Sequence, residues 1–200
     1  VAQPGIDERY RPGGQRSRTP LVVAVGRLVP VKRFDALIRA LVTVKEEQPG
    51  LEAVIIGEGY ERENLEVLGD ELGATDWLRL PGHVGDDELL DWYRRAWVVA
   101  SSSQREGWGM TLTEAAACGT PAVATAIAGH ADAVLDGESG LLVDDVGDLA
   151  GALVRVLGDD VLRSRLSRGA LTRARWFTWD ATAHRALEAL AAETGTGRRG

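Results

Sequence analysis

Residues 97–124 have the sequence WVVASSSQREGWGMTLTEAAACGTPAVA. Two short apolar runs, at residues 97–100 and 122–124, flank a glycine-containing loop and an amphipathic stretch at residues 111–118. Short apolar runs are typical of buried strands, and apolar residues three and four positions apart are typical of a helix. The stretch therefore predicts a strand, a loop, a helix and a second strand.

The same alternation extends over most of the chain. Strands are predicted at residues 21–25, 51–56, 77–80, 97–100, 122–124 and 141–143. Helices are predicted at residues 33–47, 61–72, 86–95, 111–118, 149–157, 160–168 and 179–193. Strands that alternate with helices form a parallel sheet that is covered on both faces. We therefore expect an α/β fold of the Rossmann-like, three-layer α/β/α type, with a parallel sheet of about six strands.

Three parts are expected along the chain. Residues 1–20 are rich in proline and glycine and show no hydrophobic period, so they are predicted to be a linker or entry segment. Residues 21–175 contain the predicted sheet and form the main domain. Residues 176–200 are predicted to form a terminal helix and a tail that frays from Gly195.

The composition argues against several classes of function. The 200 residues include 30 acidic and 23 basic side chains, a net charge of -7, which is the wrong sign for a protein that coats nucleic acid. No apolar stretch approaches the roughly 20 residues of a membrane span. A single cysteine, Cys118, provides neither a disulfide framework nor a Cys-x-x-Cys metal pair. The sequence predicts a cytoplasmic domain without a nucleic-acid partner.

The first predicted strand leads into Gly26, Arg27 and, five residues later, Lys32. In open parallel sheets, ligands bind beyond the carboxyl ends of the strands. An arginine and a lysine beside a helix N-terminus could hold a diphosphate, although two solvated loop cations would have the same spacing. The Gly-x4-Gly-Lys-Ser/Thr spacing of a Walker loop is absent.

Gly57 and Gly59 follow the second predicted strand. The third glycine of a dinucleotide-binding fingerprint would fall at Arg62, so that fingerprint is incomplete. The two glycines indicate either a tight turn close to a ligand or a simple turn.

The loop after the fourth predicted strand carries Glu106, Gly107 and Gly109, and a helix is predicted to begin near Met110. Free N–H groups and the positive end of the helix dipole favour an anion at such a position. Glu106 precedes this helix and Glu114 lies one turn inside it, and each carboxylate can accept hydrogen bonds from hydroxyls. The dipole alone also favours an acid in the first turn, so Glu114 has a second, purely structural explanation.

This region resembles a motif of the retaining GT-B glycosyltransferases of group 1 (family 4), whose usual form is close to Glu-Gly-Phe-Gly-x4-Glu-Ala-x-Ala-Cys-Gly-x-Pro-Val-Val. Other motifs follow the family's order, namely Gly26-Arg27 with Lys32, Gly57-Glu58-Gly59, and Pro81-Gly82-His83-Val84. The resemblance extends from about Pro4 to the terminal helix after Phe177. It implies the C-terminal half of a GT-B fold.

The resemblance implies that this half binds the donor of a retaining hexosyltransferase, a UDP- or GDP-sugar. Arg27 and Lys32 would contact the diphosphate, Glu114 the ribose hydroxyls, and Glu106 the hydroxyls of the donor sugar. Glu106 and the two cations are the candidate catalytic residues, because they would stabilise charge as the diphosphate leaves.

Further donor contacts are implied at the other motif positions. Backbone N–H groups near Gly109 would meet the distal phosphate or the sugar, and the segment after Gly82 would lie beside the base. The candidate substrate-binding residues are Gly26, Gly57, Gly59, His83, Val84, Gly107, Trp108, Gly109, Met110, Thr111 and Glu114. Neither a metal nor another cofactor is expected, because the cations neutralise the diphosphate and the chain has no Asp-x-Asp triplet.

The chain departs from the family pattern after the fifth predicted strand. Where the family often has Gly-Gly-x-x-Glu, this chain has Ala128-Gly129-His130-Ala131-Asp132. His130 is a sugar ligand, a partly buried histidine with its own hydrogen-bond partners, or a residue at the start of a helix. Asp132 is either a sugar ligand or a first-turn acid.

The family has a second, N-terminal domain that binds the acceptor, and we expect it as the partner of this one. The terminal helix would contact it, with Trp176, Phe177 and Trp179 either half-exposed or part of the core. The isolated half is expected to be inactive and to self-associate weakly. The alternatives are a small nucleotide-sugar hydrolase with Glu106 or His130 as general base, and a regulatory sugar-nucleotide-binding module. The full-length protein is expected in the cytoplasm or peripherally at the inner membrane face.

Overall fold

The structure, a computed structural model, describes residues 3–196 and the side chains of residues 3–191. The sheet in this part of the chain has six strands: β1 (Leu21–Val25), β2 (Glu52–Ile56), β3 (Leu78–Gly82), β4 (Val98–Ser101), β5 (Ala122–Thr125) and β6 (Gly140–Val143). All neighbouring strands are parallel, in the order β3-β2-β1-β4-β5-β6.

Helices follow the strands and cover both faces of the sheet. They are α1 (Phe34–Glu47), α2 (Arg62–Glu71), α3 (Asp86–Arg95), α4 (Met110–Ala117), α5 (Ala128–Ala133), α6 (Leu149–Gly158), α7 (Asp160–Ala174) and α8 (Trp179–Thr196). The predicted three-layer α/β/α fold with six parallel strands is confirmed.

Alternate residues of β1 show how the two outer layers are formed. Val22 and Ala24 pack in one core with α1 and α6, whereas Leu21 and Val23 pack in another with α3 and α4. All four side chains are at most 1% exposed. Successive side chains of a strand point to opposite faces, so a strand that is apolar throughout belongs in the middle of three layers.

Three helical regions differ from the prediction. The helix α7 continues past residue 168, because Gly169 does not end it: a Cβ at Gly169 would lie 1.9 Å from the carbonyl oxygen of Glu138, so this glycine permits close packing instead. The short helix α5 was not among the predicted helices, since six residues show almost no period. The helix α8 reaches Thr196 and includes Gly195, where fraying was predicted. Residues 1–2 of the predicted linker and 197–200 of the predicted tail lie outside the described residues.

Residues 3–20 form neither helix nor strand, yet they are fixed to the domain. The N–H of Ile6 donates to the carbonyl of Phe177 at 2.8 Å, and the ring of Tyr10 packs edge-on against Tyr93 with centroids 5.8 Å apart. Arg16 donates to the hydroxyl of Thr120 at 2.7 Å. The start of the chain is thereby held against the end of α7 and against α3.

The C-terminal aromatic residues divide between core and surface. Phe177 is 2% exposed, whereas Trp176 and Trp179 are 62% and 60% exposed. On α8, Leu187 and Leu190 are also exposed. Within the described residues, no helix has the length and apolar character needed to cross a membrane.

Candidate functional site

The centre of the sheet provides the position for a site. From β1 the chain proceeds outward to β2 and β3, and from β4 it proceeds outward to β5 and β6 on the other side. The loops after β1 and β4 therefore diverge and leave a crevice at the carboxyl ends of these two strands. In open α/β sheets this switch point is where ligands bind.

A cleft of about 490 Å³ lies at this point. Its lining includes seven residues that the sequence predicts as site residues, namely Arg27, Lys32, Glu106, Gly107, Trp108, Met110 and Thr111. Val31 and Arg105 also line it and were not predicted. Two segments that are far apart in the sequence are thus brought together around one cavity.

The loop after β1 is bonded to the loop after β4. Arg33 has a left-handed backbone, with φ of 51°, which lets the turn at Pro30–Lys32 lead directly into α1. The hydroxyl of Ser102 lies 2.8 Å from the carbonyl oxygen of Lys32, and the N–H of Gln104 donates to the carbonyl of Val31 at 2.9 Å. These bonds fix the position of Lys32 relative to Glu106.

Lys32 and Glu106 form an ion pair across the cleft, with side chains 17% and 18% exposed. The hydroxyl of Ser103 also donates to Oε1 of Glu106, at 2.9 Å. Arg27 and Arg105 are exposed, and neither has a carboxylate partner among residues 3–191. The cleft therefore has three cations against one carboxylate, a net charge of +2. That charge matches the two negative charges of a diphosphate diester.

The N-terminus of α4 faces the same cleft. The N–H groups of Leu112 and Thr113 both donate to the carbonyl of Gly109 at 3.0 Å. In the described part of the chain, the N–H of Thr111 has no hydrogen-bond acceptor. A cleft-lining N–H group at the positive end of a helix is a suitable donor to a phosphate oxygen.

Gly26, Gly57 and Gly59 lie behind the cleft instead of lining it. A Cβ at Gly57 would be 2.0 Å from the carbonyl oxygen of Gly26, and a Cβ at Gly59 would be 2.1 Å from that of Leu28. The N–H of Leu28 donates to the carbonyl of Glu58 at 2.8 Å. Gly57 and Gly59 thus contact the loop after β1. Their lack of a side chain allows the loop after β2 to lie close to it.

Besides the three glycines above, His83, Val84, Gly109 and Glu114 are predicted site residues that lie outside the cleft lining. The N–H of His83 donates to Glu58 at 3.3 Å, and Val84 packs in the core with Tyr93. The half-buried carboxylate of Glu114 accepts a hydrogen bond from the hydroxyl of Tyr93 at 2.9 Å. Burial raises the pKa of Glu114, and the bond from Tyr93 opposes that rise in part.

His130 has partners of its own. It is 1% exposed, its Nδ1 lies 2.8 Å from the carbonyl oxygen of Thr125, and its Nε2 lies 3.1 Å from the hydroxyl oxygen of Ser101. Burial lowers the pKa of His130. This is the arrangement of a buried, hydrogen-bonded histidine, one of the interpretations open from the sequence. Asp132 is exposed and does not line the cleft.

A profile of the family described as glycosyl transferases group 1 matches residues 6–173. The chain belongs to this family. The resemblance seen in the sequence is thereby confirmed, and the residues around the cleft are those of a group 1 glycosyltransferase domain.

Relatives of this group 1 domain are longer proteins. The D-inositol 3-phosphate glycosyltransferase of Thermomonospora curvata is 38% identical over 195 residues, which cover 92% of this chain and 45% of that protein. Sucrose-phosphate synthase of Thermosynechococcus elongatus has a TM-score of 0.84 at 26% identity, over 96% of this chain and 52% of that chain. HepE of Anabaena, solved with UDP and glucose, has a TM-score of 0.78 at 23% identity, over 87% and 48%. The chain spans about half the length of each.

Arg105 is the clearest residue of this group 1 site that the sequence reasoning missed. The family motif begins at Glu106, so the preceding residue attracted no attention. Its position directly before Glu106, in a loop expected to face the ligand, was the signal available in the sequence.

Glu114→Gln is expected to make the free domain more stable at pH 7. Since burial places the Glu114 pKa above that of the unfolded chain, ionisation costs more in the folded state, and stability is lost as the pH rises through the folded pKa. The neutral amide avoids this loss and still accepts the bond from Tyr93. The gain should therefore shrink as the pH falls toward 4.5, the unperturbed value.

Urea midpoints at pH 7 and pH 4.5 measure this effect. The matched control is Glu46→Gln, an exposed acid of α1, whose effect should stay within about 0.5 kcal/mol at both pH values. A Glu114 variant that is less stable than the wild type at pH 7 would contradict the account of the buried carboxylate.

No group of three or more His, Cys, Asp or Glu side chains that could hold a metal occurs among the described residues. The expectation of a metal-independent reaction is not tested by this observation and stays a prediction.

Proposed function

We propose that this chain is the donor-binding half of a retaining group 1 glycosyltransferase and binds a UDP- or GDP-hexose without a metal. The observation that carries the proposal is the cleft between the loops after β1 and β4, where a net charge of +2 meets a free N–H at the start of α4. This combination suits a diphosphate. HepE, which shares the fold, was solved with UDP and glucose.

The proposed roles follow the positions of the residues. Arg27 and Lys32, with the N–H of Thr111, bind the diphosphate. Glu106 binds hydroxyls of the donor sugar at the inner end of the cleft. Glu114 binds the ribose through its free Oε1, since Oε2 accepts the bond from Tyr93. The base is placed beside His83 and Val84, at the end of β3.

The proposed chemistry is the transfer of a hexose with retention at its anomeric carbon. The bond between that carbon and the diphosphate oxygen breaks, and the diphosphate keeps the electron pair. The acceptor hydroxyl forms the new bond on the same face and passes its proton to the departing diphosphate. The cations stabilise the charge that develops on the leaving diphosphate. Glu106 orients the sugar and stabilises the positive charge that develops on it.

The acceptor is assigned to an N-terminal domain of the whole protein. The relatives are about twice as long as this chain, and the exposed Trp179, Leu187 and Leu190 of α8 form an apolar surface suited to such a domain. The cytoplasmic location and weak self-association stay predictions. The hydrolase alternative loses one candidate base, because His130 is buried and bonded outside the cleft.

Thermal shift of the 200-residue chain with UDP, GDP, UDP-glucose and GDP-mannose tests the proposal. A nucleotide at about 100 times its Kd stabilises by about 2.7 kcal/mol, which raises the Tm by about 5 to 10 °C. Gly107→Ala should abolish this shift without lowering the Tm of the free domain. Gly107 lines the cleft, and no heavy atom lies within 4 Å of a Cβ built there. The added methyl group therefore meets no protein atom, and we expect it to occupy space that a ligand would fill.

Gly151→Ala on α6 is the matched control, since a Cβ at Gly151 also has no neighbour within 4 Å and lies far from the cleft. Its nucleotide-induced shift should equal that of the wild type. The proposal fails if a folded wild-type chain responds to no nucleotide, or if Gly107→Ala leaves the shift unchanged.

A further inference from the structure

A chain of polar side chains extends from His130 on α5, past Ser101 at the end of β4, to the cleft. Nε2 of His130 lies 3.1 Å from Oγ of Ser101, and the two serine oxygens of Ser101 and Ser103 lie 3.4 Å apart. Ser103 then donates to Oε1 of Glu106 at 2.9 Å. His130 and Ser103 are each 1% exposed. The chain thus ends on the carboxylate of the cleft ion pair.

The number of protons decides which of these contacts are hydrogen bonds. The carbonyl of Thr125 can only accept, so Nδ1 of His130 carries a proton. In the neutral imidazole, Nε2 is then an acceptor and takes the hydroxyl proton of Ser101. Because the proton of Ser103 is donated to Glu106, none is left between the two serines, which agrees with the long distance of that contact.

In the imidazolium form, the chain of bonds becomes continuous. Nε2 of His130 donates to Ser101, and Ser101 donates to Ser103. The hydroxyl of Ser103 is then fixed as a donor to Glu106. The protonation state of His130 therefore sets how firmly the Glu106 carboxylate is held from the side of the sheet.

Two charged groups of the cleft act on His130 in opposite directions. Burial is the main cause that lowers the His130 pKa. The bond to the Thr125 carbonyl and the carboxylate of Glu106 raise it, and the ammonium of Lys32 lowers it. The strands β4 and β5 carry no charged residue, Asp132 on α5 is exposed, and α4 carries only Glu114. His130 is thus coupled mainly to the Lys32–Glu106 pair.

We propose that His130, in its imidazolium form, is a positioning residue for Glu106, acting through Ser101 and Ser103. Ser103 gives Glu106 a partner other than Lys32, and the protonated ring fixes that hydroxyl as the donor, so the carboxylate keeps its orientation when Lys32 turns to a diphosphate. This inference rests on the proposed function, in which Lys32 and Glu106 contact different parts of the donor.

NMR titration of the imidazole signals of His130 in the 200-residue chain tests the relay without a ligand. We expect the neutral ring to carry its proton on Nδ1. The pKa of His130 should fall in Glu106→Gln, which removes the favourable charge, and rise in Lys32→Ala, which removes the unfavourable one. The signals of exposed His184 are the internal reference. A His130 ring that responds to neither substitution overturns the proposal.

Donor binding separates a positioning role from a purely structural one. Below the His130 pKa found in the titration, we expect His130→Gln and Ser103→Ala to change the Kd of UDP or GDP by less than about twofold and to raise the Kd of the matching hexose conjugate about 5- to 10-fold. Above that pKa, the effect of His130→Gln should disappear and that of Ser103→Ala should persist. His184→Gln should change neither Kd. Equal losses for nucleotide and conjugate would overturn the proposal. A wild-type chain that binds no nucleotide would refute the proposed function, while the titration would still decide whether His130 senses the Lys32–Glu106 pair.

Discussion

Gly57→Ala is expected to destabilise the domain by about 3 kcal/mol or more. Gly57 has a φ of +142°, which side chains rarely tolerate, and its Cβ would lie 2.0 Å from the carbonyl oxygen of Gly26. The position of a Cβ is set by its own backbone, and the carbonyl oxygen is a backbone atom, so no side-chain rotation relieves the overlap. The loops after β1 and β2 would have to separate, which strains the bond from the N–H of Leu28 to the carbonyl of Glu58.

The control for this prediction is Gly73→Ala. Gly73 also has a positive φ, +65°, but no heavy atom lies within 4 Å of its Cβ. This substitution meets only the strain of the left-handed backbone, about 1 to 2 kcal/mol. The free energies of unfolding of both variants, measured in urea, separate the cost of the left-handed backbone from the cost of the steric overlap. If Gly57→Ala is no less stable than Gly73→Ala, then the close approach of the two loops does not stabilise the domain.

Gly57→Ala should also weaken nucleotide binding, although Gly57 lies outside the cleft. The loop that it supports carries Arg27 and Lys32, and a shift of about 1 Å in a binding group is enough to lose charge-assisted hydrogen bonds. The two substitutions should therefore differ in their effects on stability and on nucleotide binding. Gly107→Ala is expected to affect binding alone, whereas Gly57→Ala affects stability first.

The layered fold was accessible from the sequence because it depends on local periodicity. The apolar runs around residues 97–124 predict β4, α4 and β5 within one or two residues, since alternating strands and helices each have a characteristic length and period. The helix α7 was predicted to end at residue 168 and instead continues through Gly169 to Ala174. Glycine fits position 169 because the helix there lies against the backbone of Glu138, thirty-one residues away. No local sequence pattern reveals this contact.

The site could be predicted only in part from the sequence, because some of its contacts join residues that are far apart in the chain. Loop positions and side-chain chemistry indicated Arg27, Lys32 and Glu106, because loops at strand ends face the ligand. The direct pairing of Lys32 with Glu106, across 74 residues, was not predictable from spacing. The bonds that link His130 to Ser101 arise only when the end of β4 lies beside α5.

Lys32→Ala is expected to weaken UDP or GDP binding by about 100-fold or more. A charge-assisted hydrogen bond to phosphate contributes about 1.5 to 3 kcal/mol, or about 10- to 150-fold in Kd. The substitution also leaves Glu106 without its cation, and the unpaired carboxylate then repels the diphosphate. Isothermal calorimetry of the two nucleotides measures the loss. Lys45→Ala, the other lysine of the chain, removes the same charge far from the cleft and should leave the Kd unchanged.

Glu106→Gln separates the two contributions of Lys32. The neutral amide releases Lys32 from its ion pair and raises the net charge of the cleft, so the nucleotide alone should bind at least as tightly as to the wild type. The double variant Lys32→Ala with Glu106→Gln should recover part of the loss of Lys32→Ala, because the repulsion is gone while the phosphate contact is still missing. If Glu106→Gln weakens nucleotide binding as much as Lys32→Ala does, Glu106 is needed to hold Lys32 in place. The cleft would then bind the diphosphate through an intact ion pair and not through a released lysine.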